Sequence, residues 1–249
     1  MPKHSEFILT PISEILSEAG VAIGNQPRGI DDYPLKEYFL QSVFLRLTGA
    51  QEQKCKCILW DVGTYDYNIR YRFFGGRGGG IGECSALDDK NKIFRSLEEC
   101  VTLSIGNAER TKYINESSSA VGDFFDKCAS HGWPRQEFDE FEAAFQQVTN
   151  ANVYQLTKSK SNPAKILKDT TNFKVEEVYE LSVYRHRNRC AHNLLSFQGN
   201  KPSFALMRSD EYKYWNYYLR YALILLVDKV MTNAYKQWVE QVEQGLYDE

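Results

Sequence analysis

The chain has 249 residues, of which 43% are hydrophobic and 25% charged, and its formal net charge is −3. That length and balance suit one large folded domain or two small ones, and they exclude wholesale disorder. A slightly acidic total also excludes a protein that coats nucleic acid through its whole surface, so any phosphate contact must be local. The strongest apolar run, YALILLV at 221–227, is far short of the ~20 residues that span a bilayer. The opening residues, MPKHSEFILTPISEIL, have no basic segment followed by an apolar one. No secretory signal and no membrane association are therefore expected, and the expected compartment is the cytoplasm.

Residues 1–33 hold Pro2, Pro11 and Pro27 and predict a short helix around Ile12 to Ala19 followed by an irregular lead-in. From Pro34 onward apolar residues recur every three or four positions: Phe44, Thr48, Gln51, Cys55, Ile58, Leu59, Val62, Tyr65, Ile69 and Phe73. This stripe predicts one long helix within 34–74, roughly 36 to 73, with Gly49 and Gly63 as places where it could kink. A strand over 56–74 is the alternative, because that stretch is rich in β-branched and aromatic residues.

Six glycines follow between 75 and 82, in FGGRGGGIGE. The segment fits neither the GxxxxGK[ST] nor the GxGxxG pattern and does not sit between a strand and a helix, so it predicts a flexible hinge over 75–83 rather than a phosphate cradle. Residues 84–170 predict a middle helical region, with helices at 86–105 and 135–148 and a loop at 157–165. In 171–249 a motif helix has Val175, Val178, Leu181, Cys190, Leu194 and Leu195 as its core face. A turn at QGNKPS and a last helix from about Asp210 to Glu243 complete the chain. No repeat of 20–50 residues is present. The whole predicts a single all-α domain of long antiparallel helices.

The six cysteines (Cys55, Cys57, Cys84, Cys100, Cys128, Cys190) form no CxxC pair. Cys55 and Cys57, two apart on one helix, diverge by ~200°. They predict small buried or half-exposed thiols rather than a metal site or disulfides, and no cofactor is expected.

One stretch departs from the rest. YRHRNRCAHN, residues 184–193, holds three arginines and two of the four histidines. Arginine presents a planar, permanently charged fork that matches phosphate oxygens. Histidine exchanges a proton near neutral pH, and Asn188 and Asn193 add uncharged donors and acceptors. Together these suffice to cleave RNA by attack of the ribose 2′-hydroxyl on the adjacent phosphate. No Asp or Glu lies within 181–200, so a carboxylate-held magnesium site is not supplied locally. Spacing complicates a single-helix site. On an ideal helix Arg185 and His192 nearly align, whereas Arg187 and His192 diverge by ~140°. A second copy of the motif across a two-fold interface would complete such a site. The bland alternative is a solvated basic turn of helix with His186 half-buried.

The segment RNRCAH, Arg187 to His192, resembles the R-x4-6-H signature of HEPN-domain ribonucleases, including the polar residue placed directly after the arginine. The long segment EYFLQSVFLRLTGAQEQKCKCILWDVGTYDYNIRYRFF also looks like the opening helix of HEPN proteins from toxin–antitoxin and phage-defence loci. The resemblance implies an α-helical bundle with a long first helix that dimerises with both motifs facing one cleft. It also implies metal-independent endoribonuclease activity leaving 2′,3′-cyclic phosphate and 5′-hydroxyl ends. Arg187 and His192 would occupy the signature positions and Asn188 the polar one, with Arg185, Arg189 and Asn193 as substrate-binding residues. Arg185 also satisfies the signature, which leaves the motif arginine open. Implied partners are RNA (tRNA or mRNA), a second copy, and an antitoxin or another defence-system subunit. Two other classes are open at this stage: a HEPN-like module that binds RNA or nucleotide without cutting, and a helical scaffold subunit of a larger complex. The aromatics of EYKYWNYYLRY, 211–221, read as core or dimer packing, with base stacking as the alternative. His131, in a loop, reads as structural.

Overall fold

In the computed structural model, residues 2–23, 33–75, 84–105, 107–129, 179–192 and 217–245 are described. Among these the regular elements are all helical and no strand occurs, in keeping with the 3.6-residue periodicity. The helix expected at 135–148, the loop at 157–165, the glycine run 76–83, Asn193 and His131 lie outside the described residues.

The amino-terminal segment forms two helices rather than one, α1 (Ser5–Leu9) and α2 (Ser13–Ile23). Pro11 separates them, and each buries one apolar edge, with Ile8 in α1 and Leu16, Ala19 and Ile23 in α2. The predicted long helix is also two helices. α3 (Tyr33–Tyr65) runs 33 residues, about 50 Å at the usual rise, and then stops. Asp66 takes an extended conformation and its carboxylate accepts the backbone N–H groups of Asn68 and Ile69, which starts α4 (Tyr67–Phe74) in a new direction. α4 folds back along α3: Trp60 meets Phe74 edge-on at 5.8 Å, and Gly63 lies against the Arg70 backbone, where its missing side chain permits the approach. The apolar stripe continued through the break because α4 buries Ile69 and Phe73 into the same core.

Beyond the glycine segment come α5 (Leu87–Cys100) and α6 (Asn107–Ala129). α6 falls within the helical region expected over 84–170, but the sequence marks no separate helix at 107–129, where Ser117, Ser118, Ser119 and Gly122 weaken the local preference. Burial of Ile114, Val121, Phe124, Phe125 and Cys128 supplies the missing stability. Further on, a single π-helical turn (Glu180–Tyr184) leads directly into α7 (Arg185–His192). The final described helix is α8 (Tyr217–Glu243).

Among the described residues α8 is the most fully buried helix. Every residue from Tyr217 to Asp228 is buried, as expected of a helix that is apolar nearly all round. Tyr218 and Tyr221 stack on Phe125 of α6 at 5.8 and 6.0 Å, so core packing accounts for these aromatics. α6 and α8 are antiparallel, since Glu116 meets Lys229 while Phe125, further along α6, meets Tyr221 and Tyr218, earlier on α8. α3 and α8 run parallel. Leu40 pairs with Tyr221, Gln51 with Ile224, Lys54 with Asp228 and Asp61 with Tyr235, in rising order on both helices. The purely antiparallel expectation fails for this pair because short loops enforce antiparallel packing only between consecutive helices.

Two polar clusters fix the ends of this core. Asp61 receives the His4 backbone N–H and ring Nδ1 together with the Tyr235 hydroxyl, which pins the amino-terminal turn to α3 and α8. Earlier on α3, Tyr179 donates to Gln51, and Gln51 donates to the Ile224 carbonyl. Buried Lys90 beside them donates to the carbonyls of Cys84 and Ser85. All six cysteines are free thiols, four of them buried. Burial pushes Cys55 up to about 12 and Cys84 up to about 11, so both stay protonated and behave as small apolar groups.

Candidate functional site

The basic stretch enters the fold through the π turn. There the Arg185 N–H bonds the Glu180 carbonyl, and buried Arg220 of α8 donates its Nε–H to the Ser182 carbonyl at 2.9 Å. A π turn holds one residue more than an α turn, so it shifts the phase of everything after it by ~100°. Of the predicted core face, Val175, Val178, Leu194 and Leu195 lie outside the described residues and Cys190 is half-buried. Leu181 is exposed, and the buried residues are Tyr179, Ser182, Val183 and His186.

His186 is a core residue. Its ring packs edge-on against Phe44 of α3 at 4.9 Å and against Tyr217 of α8 at 5.4 Å. Nε2 lies 3.1 Å from the Tyr217 hydroxyl and 3.5 Å from the Cys190 sulfur. Burial, reinforced by the nearby Arg220 and Arg189 charges, lowers its pKa from 6.5 to about 2. It is therefore neutral at any physiological pH and anchors α7 between α3 and α8.

With His186 inward, the flanking arginines separate. Arg185 is largely exposed and lies 3.9 Å from Glu180. Arg187 turns to α3. Its Nε donates to Glu52 Oε1 at 3.1 Å and its Nη2 to Oε2 at 3.0 Å, a two-point charged contact. Its Nη1 donates to the Asn188 side-chain oxygen at 3.3 Å. The two partners are only 15% and 11% exposed, so the pair is held much more rigidly than a surface ion pair. Arg189 and Cys190 are half-buried.

His192 is the last residue of α7. Its backbone follows Arg187 around the helix by ~140° and lies nearly in line with Arg185. The structure thus brings Arg187, Asn188 and Glu52 together. It does not bring Arg185 and Arg187 to one point.

Glu52 was missed by the sequence reading. It sits 135 residues away from Arg187, and nothing in its neighbourhood (GAQEQK) distinguishes it from a solvated helix carboxylate. A burial signal could have raised it, since it lies on the apolar side of α3 beside Gln51 and Cys55.

No family model, curated protein or solved structure matches this chain. Among the described residues no group of three or more His, Cys, Asp or Glu is placed to hold a metal ion, and no helix is long and apolar enough to cross a membrane.

Chemically, the site is a cationic helix end with one guanidinium fixed in direction by a carboxylate from another helix. Such a group can orient a phosphate or lock two helices together.

Proposed function

We propose that the chain is an endoribonuclease of the HEPN type that needs no metal and works as a cytoplasmic homodimer. His192 removes the ribose 2′-hydroxyl proton and the freed oxygen attacks the adjacent phosphorus. The P–O5′ bond breaks, the departing O5′ takes a proton from solvent, and the products are a 2′,3′-cyclic phosphate and a 5′-hydroxyl. Arg187 stabilises the charge that builds on the phosphate, Asn188 helps hold Arg187, and Arg185, Arg189 and Asn193 contact the strand. Two copies of α7 line one cleft. The target is tRNA or mRNA, and the setting is a toxin or phage-defence system with a neutralising or associated partner.

The observation that carries this reading is the fixing of Arg187 by Glu52 and Asn188. A direction-fixed guanidinium is what preorganised charge stabilisation requires. It also favours Arg187 over exposed Arg185 as the motif arginine. The same pair favours a second reading, a HEPN-like subunit that binds RNA or scaffolds a complex without cutting. A guanidinium already matched by a carboxylate also serves as a clamp between helices.

The ends of the fragments separate them. Purified protein is incubated with total cellular RNA in EDTA and the termini are typed enzymatically. Cyclic phosphates with 5′-hydroxyls support the ribonuclease. Uncut RNA, or cutting only after magnesium is restored, contradicts it.

A further inference from the structure

α4 has two faces, and the fold uses only one. Ile69 and Phe73 are buried. Roughly opposite them on the helix, Tyr67, Tyr71 and Phe74 at i, i+4 and i+7 form a second apolar row. These rings are 75%, 63% and 49% exposed, and Trp60 of α3 is 54% exposed. They form a continuous line. Tyr67 stacks on Tyr71 at 6.4 Å, Phe74 lies one turn further on, and Phe74 meets Trp60 at 5.8 Å. Of the other exposed large apolar residues among those described, Phe7, Val21 and Tyr38 belong to α1, α2 and the start of α3, Tyr65 meets Trp238 of α8, and Leu181 lies in the π turn.

The charges around the row are biased. Exposed Lys56 lies one helical turn before Trp60, and exposed Arg70 lies on α4 itself. The nearby carboxylates are already engaged: Asp66 caps α4, and Glu99 pairs with Arg72 at 2.7 Å. The row and the Arg187 site also share α3. Glu52, Lys56 and Trp60 succeed one another at four-residue steps along α3, so the aromatic line begins ~12 Å along the helix from Glu52.

We propose that Trp60, Phe74, Tyr71 and Tyr67 form a stacking platform for unpaired bases, and that the chain's nucleic-acid ligand is single-stranded RNA. The proposal rests on the reading that the protein acts on RNA. Flat amphipathic rings interleaved with cations bind a single strand without regard to sequence, because every base has a π-face and every linkage a negative charge. A duplex hides its base faces and gains nothing from the rings.

The test uses a fluorescein-labelled, 2′-O-methylated 12-nucleotide RNA, which has no 2′-hydroxyl to attack and so reports binding alone. The wild type binds the single strand more tightly than the blunt duplex of the same sequence. Trp60→Ala and Tyr71→Ala each weaken single-strand binding by about tenfold, and Trp60→Phe restores most of it. Because these side chains are exposed, thermal melts of the variants stay close to wild type. Binding unchanged in the double alanine variant overturns the platform, as does a preference for duplex. A dimer that dissociates in the ring variants while RNA affinity holds also overturns it, because the face then belongs to a protein contact. A wild type that binds through the rings yet leaves ordinary RNA intact removes the nuclease reading and leaves the platform standing.

Discussion

Arg187 and Glu52, 135 residues apart in the chain, meet as a two-point ion pair with contacts of 3.1 and 3.0 Å. Removing one partner leaves the other's charge uncompensated in a mostly buried place. Glu52→Gln is therefore expected to destabilise the fold by about 2 kcal/mol, less than a fully buried pair would cost. Urea unfolding measures it, and an unchanged midpoint contradicts the pairing. On the proposed function, the same change also lowers cleavage by about tenfold with little effect on KM, because the guanidinium loses its fixed direction.

The His186 ring predicts an acid-sensitive fold. Its pKa is near 2 when folded, against an ordinary value of 6.5. Between those values the unfolded chain binds a proton that the folded chain refuses. Stability from this group is thus complete above pH 6.5 and falls as pH drops, by about 1.4 kcal/mol per unit. Urea midpoints at pH 7 and pH 5 should fall less in His186→Phe than in the wild type, by about 2 kcal/mol. Equal slopes contradict the buried, neutral assignment.

The clamp at Asp61 predicts a graded pair of effects. Tyr235→Phe removes one hydroxyl that bridges Asp61 and Ser5, at a cost of about 1 kcal/mol. Asp61→Ala leaves both Tyr235 and His4 without their acceptor and costs about 3 kcal/mol. Hydrogen exchange in α1 accelerates in the second variant. If Asp61→Ala is no worse than Tyr235→Phe, the amino-terminal turn is not held by this carboxylate.

Association follows from the proposed function. A cleft built from two copies of α7 requires a dimer, so light scattering should return twice the chain mass at micromolar concentration. A strict monomer that still cleaves RNA contradicts the composite cleft.

The helical class was legible because apolar positions along α3 repeat at the helical period. Its interruptions were not. The Asp66 break is invisible to periodicity, since Val62, Tyr65, Ile69 and Phe73 keep the stripe in step on both sides of it. The π turn has no compositional signature, and within it Leu181 is exposed while Ser182 and Val183 are buried. Helix α6 was hidden by serines that tertiary burial overrides. At the site, the basic stretch stood out by composition, yet the roles of its members depended on distant partners. His186 looked half-exposed between two arginines until Phe44 and Tyr217 enclosed it. Arg187 acquired its partner only when α3 brought Glu52 across the chain.

The central claim is that Arg187 and His192 cut RNA, and single-turnover cleavage of a 5′-labelled RNA in EDTA tests it most directly. Wild type, Arg187→Ala and His192→Ala are assayed side by side. The account predicts cleavage by the wild type and a loss of about 10²-fold or more in each variant. Intact RNA with the wild type, or equal cleavage by all three, contradicts it.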